Sequence, residues 1–265
     1  MKTAKDALAN FLGFIVVVAS ILIVLSLLIF LPVTYKDWVV SFRPSALTWQ
    51  NPYHGLTFNP PWLFLFLNPI AALPPRVGAG TLMLISFVII ALYVRSPVKT
   101  FFVALSAPMI VLLTLGNIDG LVILGLLVPY WMSLPFLMIK PQGVFLTAIK
   151  RLGFWSICFA VFFLFISVFV WGFWWQDISS LNTPVNAEYN LSAFPYSVVP
   201  GLLLFVLGLR KKSDAYLCFA SLCFSPYFMI TSLLPAVAAS LRETRDKRIW
   251  FGIVMGTWVY YFLMK

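Results

Sequence analysis

Residues 152–175 read LGFWSICFAVFFLFISVFVWGFWW, without one charged side chain. Lys150 and Arg151 stand immediately before this run, and Trp171, Trp174 and Trp175 close it. A helix rises about 1.5 Å per residue, so roughly 20 apolar residues cross the hydrocarbon of a bilayer. Tryptophan favours the headgroup layer, and Lys and Arg favour the cytoplasmic side. The stretch predicts a transmembrane helix with its basic end inside.

The rest of the chain repeats that pattern. Upstream lie Phe11–Leu31, preceded by Lys2 and Lys5, a short run Trp62–Leu73, Val77–Val94, and Thr100–Leu115 with a kink expected at Pro108. Leu121–Val128 and Trp131–Ile139, separated by Pro129, read as one broken span or a shallow hairpin. Downstream come Pro195–Leu209, ending on Arg210-Lys211-Lys212, then Ala215–Ala239 interrupted at Pro226 and Pro235, then Ile249–Leu263. The Phe11–Leu31 run is too long for the core of a signal peptide and lacks a small-residue cleavage site, so it reads as a first span with a cytoplasmic N-terminus.

Composition agrees. Of 265 residues, 62% are hydrophobic and 10% charged, with a mean hydropathy of +0.99. Soluble domains carry about 25% charged residues. The fold class expected is all-α: one polytopic transmembrane bundle over residues 1–265, multi-pass in the cell membrane, with about eight or nine spans. One conflict stands. Strict alternation from an inside N-terminus puts Arg95 and Lys99 outside, against the charge bias. Either the Trp62–Leu73 run does not cross, or those cations face a wet groove.

A net charge of +10 raises the question of nucleic acid. In so apolar a chain, anionic lipid headgroups are the better partner, and no nucleic acid is expected. Cys158, Cys218 and Cys223 lie in apolar runs and read as small buried hydrophobes. There is no Walker A pattern, dinucleotide fingerprint or metal-ligand cluster, so no cofactor or metal is expected, and ATP-driven transport by this chain alone is disfavoured.

Polar chemistry gathers between the apolar runs. The interval Thr34–Pro61 mixes Lys36, Asp37, Arg43, Asn51, His54 and Asn59 with aromatic residues. Lys36–Gln50 fits an amphipathic helix in the interface, broken at Pro44. Of eight acidic residues, Asp6, Asp214, Glu243 and Asp246 lie near cations and read as their solvated partners. Asp37, Asp119, Asp177 and Glu188 remain. Asp37 is either a general base whose affinity for protons rises at the membrane boundary, or part of an ion pair with Lys36 and Arg43. Arg43 could instead hold a phosphate. Asp119 and Asn117 fill a glycine-flanked break, as a functional acid at membrane depth or as a helix cap. Lys140 either holds a lipid phosphate or marks the inner end of a span. His54 either helps bind a headgroup or is simply solvated.

The order Asp37-Trp38, Pro44-Ser45-Ala46-Leu47, Asn51-Pro52-Tyr53, Phe58-Asn59-Pro60-Pro61-Trp62 resembles the first outer loop of polytopic GT-C glycosyltransferases. The nearest likeness is to the polyprenyl-phosphate-mannose-dependent mannosyltransferases of glycosyltransferase family 87. Gly116-Asn117-Ile118-Asp119 resembles that family's Gly-Gln-x-Asn break, Lys140-Pro141-Gln142 its Lys-Pro element, and Ser225-Pro226-Tyr227 its late Ser-Pro-x-Trp element. The resemblance implies a lipid-phosphate sugar donor entering from the bilayer, Asp37 as general base on the acceptor hydroxyl, and Arg43 and Lys140 on the phosphate. Tyr53, His54, Asn59, Asn117 and Asp119 would complete the substrate site. The chain departs from the pattern in its shortness, in Asn117 and Asp119, and in lacking a His after the Ser-Pro element.

Three functions follow: a lipid-linked sugar transferase, a noncatalytic membrane subunit working with a protein partner, and a transporter or flippase. The proline-broken runs suit transport, while the absence of an inverted repeat and the scarcity of intramembrane charge speak against it.

Overall fold

The computed structural model describes residues 34–54, 57–180 and 189–264, and these contain helices and no strand. The Phe11–Leu31 run, Lys2, Lys5, Asp6, Glu188 and the side chain of His54 lie outside the described residues. A π-helical turn, Trp38–Phe42, leads straight into α1 (Arg43–Leu47). Pro44 therefore does not break the helix. The backbone widens ahead of it, with the Arg43 N–H bonded to the Trp38 carbonyl, and Pro44 falls in the first turn of α1, where no N–H is needed. Trp38, Phe42, Ser45 and Ala46 turn inward, while Val39, Val40 and Leu47 turn outward.

Next come α2 (Pro61–Ala71), α3 (Pro75–Val94), α4 (Pro97–Ala104) and α5 (Ala107–Leu115). The α4–α5 axis bends by 67°. The bend precedes Pro108, because a proline clashes with the carbonyl four residues back, here Ala104 at the end of α4. Backbone groups freed by the bend find partners on the last helix: Thr257 Oγ1 accepts from the Ala107 N–H at 3.1 Å, and Trp258 Nε1 donates to the Leu105 carbonyl at 2.9 Å. Irregular backbone inside an apolar medium survives only with such cover.

The chain continues through α6 (Asp119–Leu127), a 3₁₀ turn Tyr130–Met132, α7 (Ser133–Leu137), α8 (Phe145–Lys150), α9 (Phe154–Trp171) and α10 (Trp175–Ser180). It finishes with α11 (Val198–Lys211), α12 (Asp214–Phe224), α13 (Leu234–Glu243) and α14 (Lys247–Met264). The segments around Pro129 fold back on each other as a hairpin. A Cβ on Gly125 of α6 would meet Leu137 of α7 at 2.7 Å, so the glycine lets the two helices close together. One contiguous core runs from Trp38 and Phe64 through α3 and α6 to α13 and Trp250.

Among the described residues α3 and α9 are long and apolar enough to cross a membrane, and the bent α4–α5 pair makes a third candidate. This fits membrane association. The two long helices differ in role: 56% of α3 is buried inside the protein and 11% of α9. On α9, Phe154, Trp155, Phe165 and Phe169 point outward, and so does Cys158, contrary to the buried placement expected of the cysteines.

Helix α2 has 11 residues, about 16 Å, roughly half a hydrocarbon core. Lys99 Nζ donates to the Arg242 carbonyl at 3.1 Å, and the Arg242 guanidinium lies over the Tyr93 ring at 4.4 Å. Arg95 and Lys99 thus share one end of the molecule with the late basic cluster.

Candidate functional site

Gly116 closes α5 in the left-handed conformation, φ +71°, and a Cβ there would stand 2.7 Å from the Trp38 Cβ. Only glycine meets both demands without strain. Trp38 is itself fixed: it is fully buried, and its indole N–H donates to the Pro75 carbonyl at 3.0 Å. The α5–α6 break is therefore pressed against the start of the Trp38 turn, and the residue after Gly116 meets the residue before Trp38.

That meeting is the centre of the site. Asn117 Nδ2 donates to Asp37 Oδ2 at 2.7 Å. Asn117 Oδ1 accepts from the backbone N–H of Ile118 at 2.7 Å and of Asp119 at 3.2 Å, and from Lys140 Nζ at 3.4 Å. Lys140 Nζ also pairs with Asp119 Oδ2 at 2.6 Å, with side-chain exposures of 14% and 2%. Asp37, Asn117, Asp119 and Lys140 thus form one connected polar group, and the Lys140–Asp119 pair closes the open end of the α6–α7 hairpin. Asp119 does not cap α6, and Asn117 supplies the local backbone bonds instead.

Asp37 is partly buried, and burial pushes its carboxyl above the ordinary value of 3.8. The Asn117 hydrogen bond and the charges of Lys140 and Lys36 pull it back, and Asp119 pushes it up again. The expected ion pair of Asp37 with Lys36 and Arg43 does not form: among the described residues the salt bridges are Lys140–Asp119, Lys150–Asp214 and Arg151–Asp214. Tyr227, of the late Ser-Pro element, lies within electrostatic range of Asp37.

Other predicted residues serve the frame. Tyr53 Oη donates to the Asn59 carbonyl at 3.1 Å, and Asn59 Nδ2 donates to the Ile139 carbonyl at 2.8 Å, next to Lys140. Trp62 Nε1 reaches the Pro135 carbonyl at 3.2 Å. Together they tie residues 53–62 to the α7 segment. Arg43 joins no bond of the polar group, and its Nε is buried without a hydrogen-bond partner.

An apolar cavity of about 440 Å³ lies nearby, walled by Phe228, Leu233, Cys223 and Tyr260 among others. Its Phe228 wall directly follows Tyr227. Sequence reading missed Tyr227 as a neighbour of Asp37 because the two are joined only through tertiary packing. No group of His, Cys, Asp and Glu among the described residues could hold a metal ion.

Compared with known families, characterised proteins and solved structures, the chain matches none. The fold and site define an all-helical, membrane-associated protein with a buried polar centre built on Asp37 and Asn117.

Proposed function

We propose that this chain is a membrane glycosyltransferase-like protein that moves a sugar from a polyprenyl-phosphate donor to a lipid or glycan acceptor. In this reading it is a bundle of about eight or nine spans with a cytoplasmic N-terminus. The basic end carrying Arg95, Arg242 and Arg210-Lys211-Lys212 faces the cytoplasm, and Asp37 opens to the other side. The observation that carries it is Asp37: a partly buried carboxylate, held by Asn117, with its proton affinity raised. A general base works best with a pKa nearer the operating pH, and burial moves Asp37 that way. Asp37 accepts the acceptor hydroxyl's proton as the oxygen attacks the anomeric carbon, and the prenyl phosphate leaves. Lys140 lies within electrostatic range to meet that phosphate, and the apolar cavity beside Tyr227 offers room for a prenyl chain.

The test is transfer from radiolabelled polyprenyl-phosphate-mannose and polyprenyl-phosphate-glucose by purified protein in liposomes of mixed bacterial lipid. Wild type yields labelled product, and Asp37→Asn accumulates normally but loses about 10²-fold or more of the rate. Transfer unaffected by Asp37→Asn overturns the assignment.

A second reading, a noncatalytic membrane subunit, draws on the 2.6 Å Lys140–Asp119 pair, which already occupies the cation that would meet phosphate. It expects no transfer from wild type and a co-purifying membrane protein.

A further inference from the structure

A second polar centre lies at the far end of α6, about 12 Å from Asp119 along the helix. There a cavity of about 430 Å³ is lined by Arg151, Arg242, Asp214, Glu243, Tyr93 and Tyr130 together with the backbone that ends α6. Nothing in the proposed transfer chemistry uses it. What such a cavity binds depends on which of its charges are already engaged.

Arg151 is engaged. It is buried, and it donates from Nη1 to the Gly125 carbonyl at 2.7 Å and from Nη2 to the Leu126 carbonyl at 3.3 Å and to Asp214 Oδ2 at 3.1 Å. It also stacks over the Tyr130 ring at 4.6 Å. It caps the C-terminus of α6, where unpaired carbonyls favour a cation. Asp214 is engaged twice, since Lys150 Nζ holds its other oxygen at 2.7 Å. Glu243 accepts from the Ser213 hydroxyl and from the backbone N–H groups of Asp214 at 2.8 Å and Ala215 at 3.2 Å, closing the N-terminus of α12.

Arg242 is left with none of its guanidinium nitrogens engaged. Its guanidinium carbon lies 4.4 Å from the centre of the Tyr93 ring, and among the described residues no oxygen accepts a hydrogen bond from it. Its backbone carbonyl meanwhile holds the Lys99 ammonium at 3.1 Å, so a second cation stands close by. A guanidinium held over a ring face keeps N–H donors free for another partner. Those donors match two oxygens of a phosphate. Each carboxylate in the cavity is already satisfied, so the unmet demand is for an anion.

We propose that this cavity binds a phosphate group, on a lipid headgroup or on a small soluble phosphate, with Arg242 as its direct ligand. Arg151 holds the wall in place and does not touch the ligand. The volume suits a headgroup or a small organic phosphate. The site stands independently of the Asp37 centre.

The test is a thermal-shift titration of the purified full chain in neutral detergent at fixed ionic strength. The two probes are inorganic phosphate and dihexanoyl phosphatidic acid. Wild type responds saturably to at least one. Arg242→Gln weakens the apparent affinity about tenfold or more, and Arg242→Lys, which keeps the charge without the fork, falls between. A response to the lipid alone assigns the site to a headgroup, and a response to both assigns it to the phosphate group itself. No saturable shift in wild type with either probe overturns the proposal, as does an Arg242→Lys or Arg242→Gln variant that binds like wild type. Should Arg242→Gln fail to accumulate, the wild-type and Arg242→Lys titrations still decide.

Discussion

The side-chain amide of Asn117 donates to the Asp37 carboxylate at 2.7 Å, across 80 residues of sequence. The same side chain's oxygen holds the first backbone N–H groups after the α5–α6 break. One residue therefore shapes the local turn and fixes the carboxylate facing it. The amide's orientation is set because its oxygen is already spoken for by N–H donors.

Asp37 makes a pH-dependent contribution whose sign is fixed. Its folded carboxyl titrates above the ordinary 3.8, chiefly through burial. Below that ordinary value both folded and unfolded chains hold the proton, and Asp37 costs nothing. As pH rises through 3.8 the unfolded chain ionises first, and stability falls until the raised folded value is passed. Asp37→Asn removes this titration. Its melting temperature in detergent, relative to wild type, should climb as pH rises from about 3.8 and then level off. A difference that is flat from acid to neutral pH rules out a raised carboxyl.

Gly116 carries both a left-handed backbone and a tight approach to Trp38. Gly116→Ala should cost at least about 1–2 kcal/mol for the backbone alone. Displacement of the Trp38 turn adds to that and pulls Asn117 from Asp37. Gly252 on α14 has nothing within 4 Å of its would-be Cβ, so Gly252→Ala should be neutral or stabilising by up to about 1 kcal/mol. Paired thermal denaturation of the two variants in detergent separates a special glycine from an ordinary one.

Lys140 and Asp119 are a nearly dry pair, and such pairs answer in a characteristic way. Removing one partner strands the other charge and costs roughly 3–5 kcal/mol, whereas replacing both with apolar residues recovers most of the loss. Lys140→Met and Asp119→Leu should each be strongly destabilising, and the double variant should be much closer to wild type. Denaturant titration of the four proteins yields the cycle. Additive losses would mean the two side chains are solvated independently.

The composition and the charge-free runs fixed the helical class, because apolar periods and proline positions are local signals. The polar residues were legible too: Asp37, Asn117, Asp119 and Lys140 stand out in so apolar a chain, and they meet. What each does was not legible. Asp119 has the position of a cap and yet pairs with Lys140, because the hairpin returns residue 140 to the start of α6. Pro44 has the look of a helix breaker, but a π turn absorbs it. Asp214 and Glu243 read as solvated partners of nearby cations, while tertiary packing makes one the bridge between Lys150 and Arg151 and the other a helix cap. Long-range partners decide these outcomes, and no local pattern encodes them.

The outward face of α9 bears on the membrane itself. Phe162 and Phe165 are 59% and 70% exposed, near the middle of a helix whose interior-facing buried residues are Ser156 and Ser167. In water such a face would be an aggregation hazard, whereas in lipid it needs no cover. If lipid covers it, Phe162→Arg sets a cation at mid-bilayer and costs about 2.5–3.5 kcal/mol of insertion. Phe154→Arg, at the basic end beside Arg151, should cost far less, because the charge reaches the headgroups. Membrane integration measured by alkaline extraction should therefore drop for Phe162→Arg and hold for Phe154→Arg. Equal extraction of both variants would mean that α9 packs on protein or faces water.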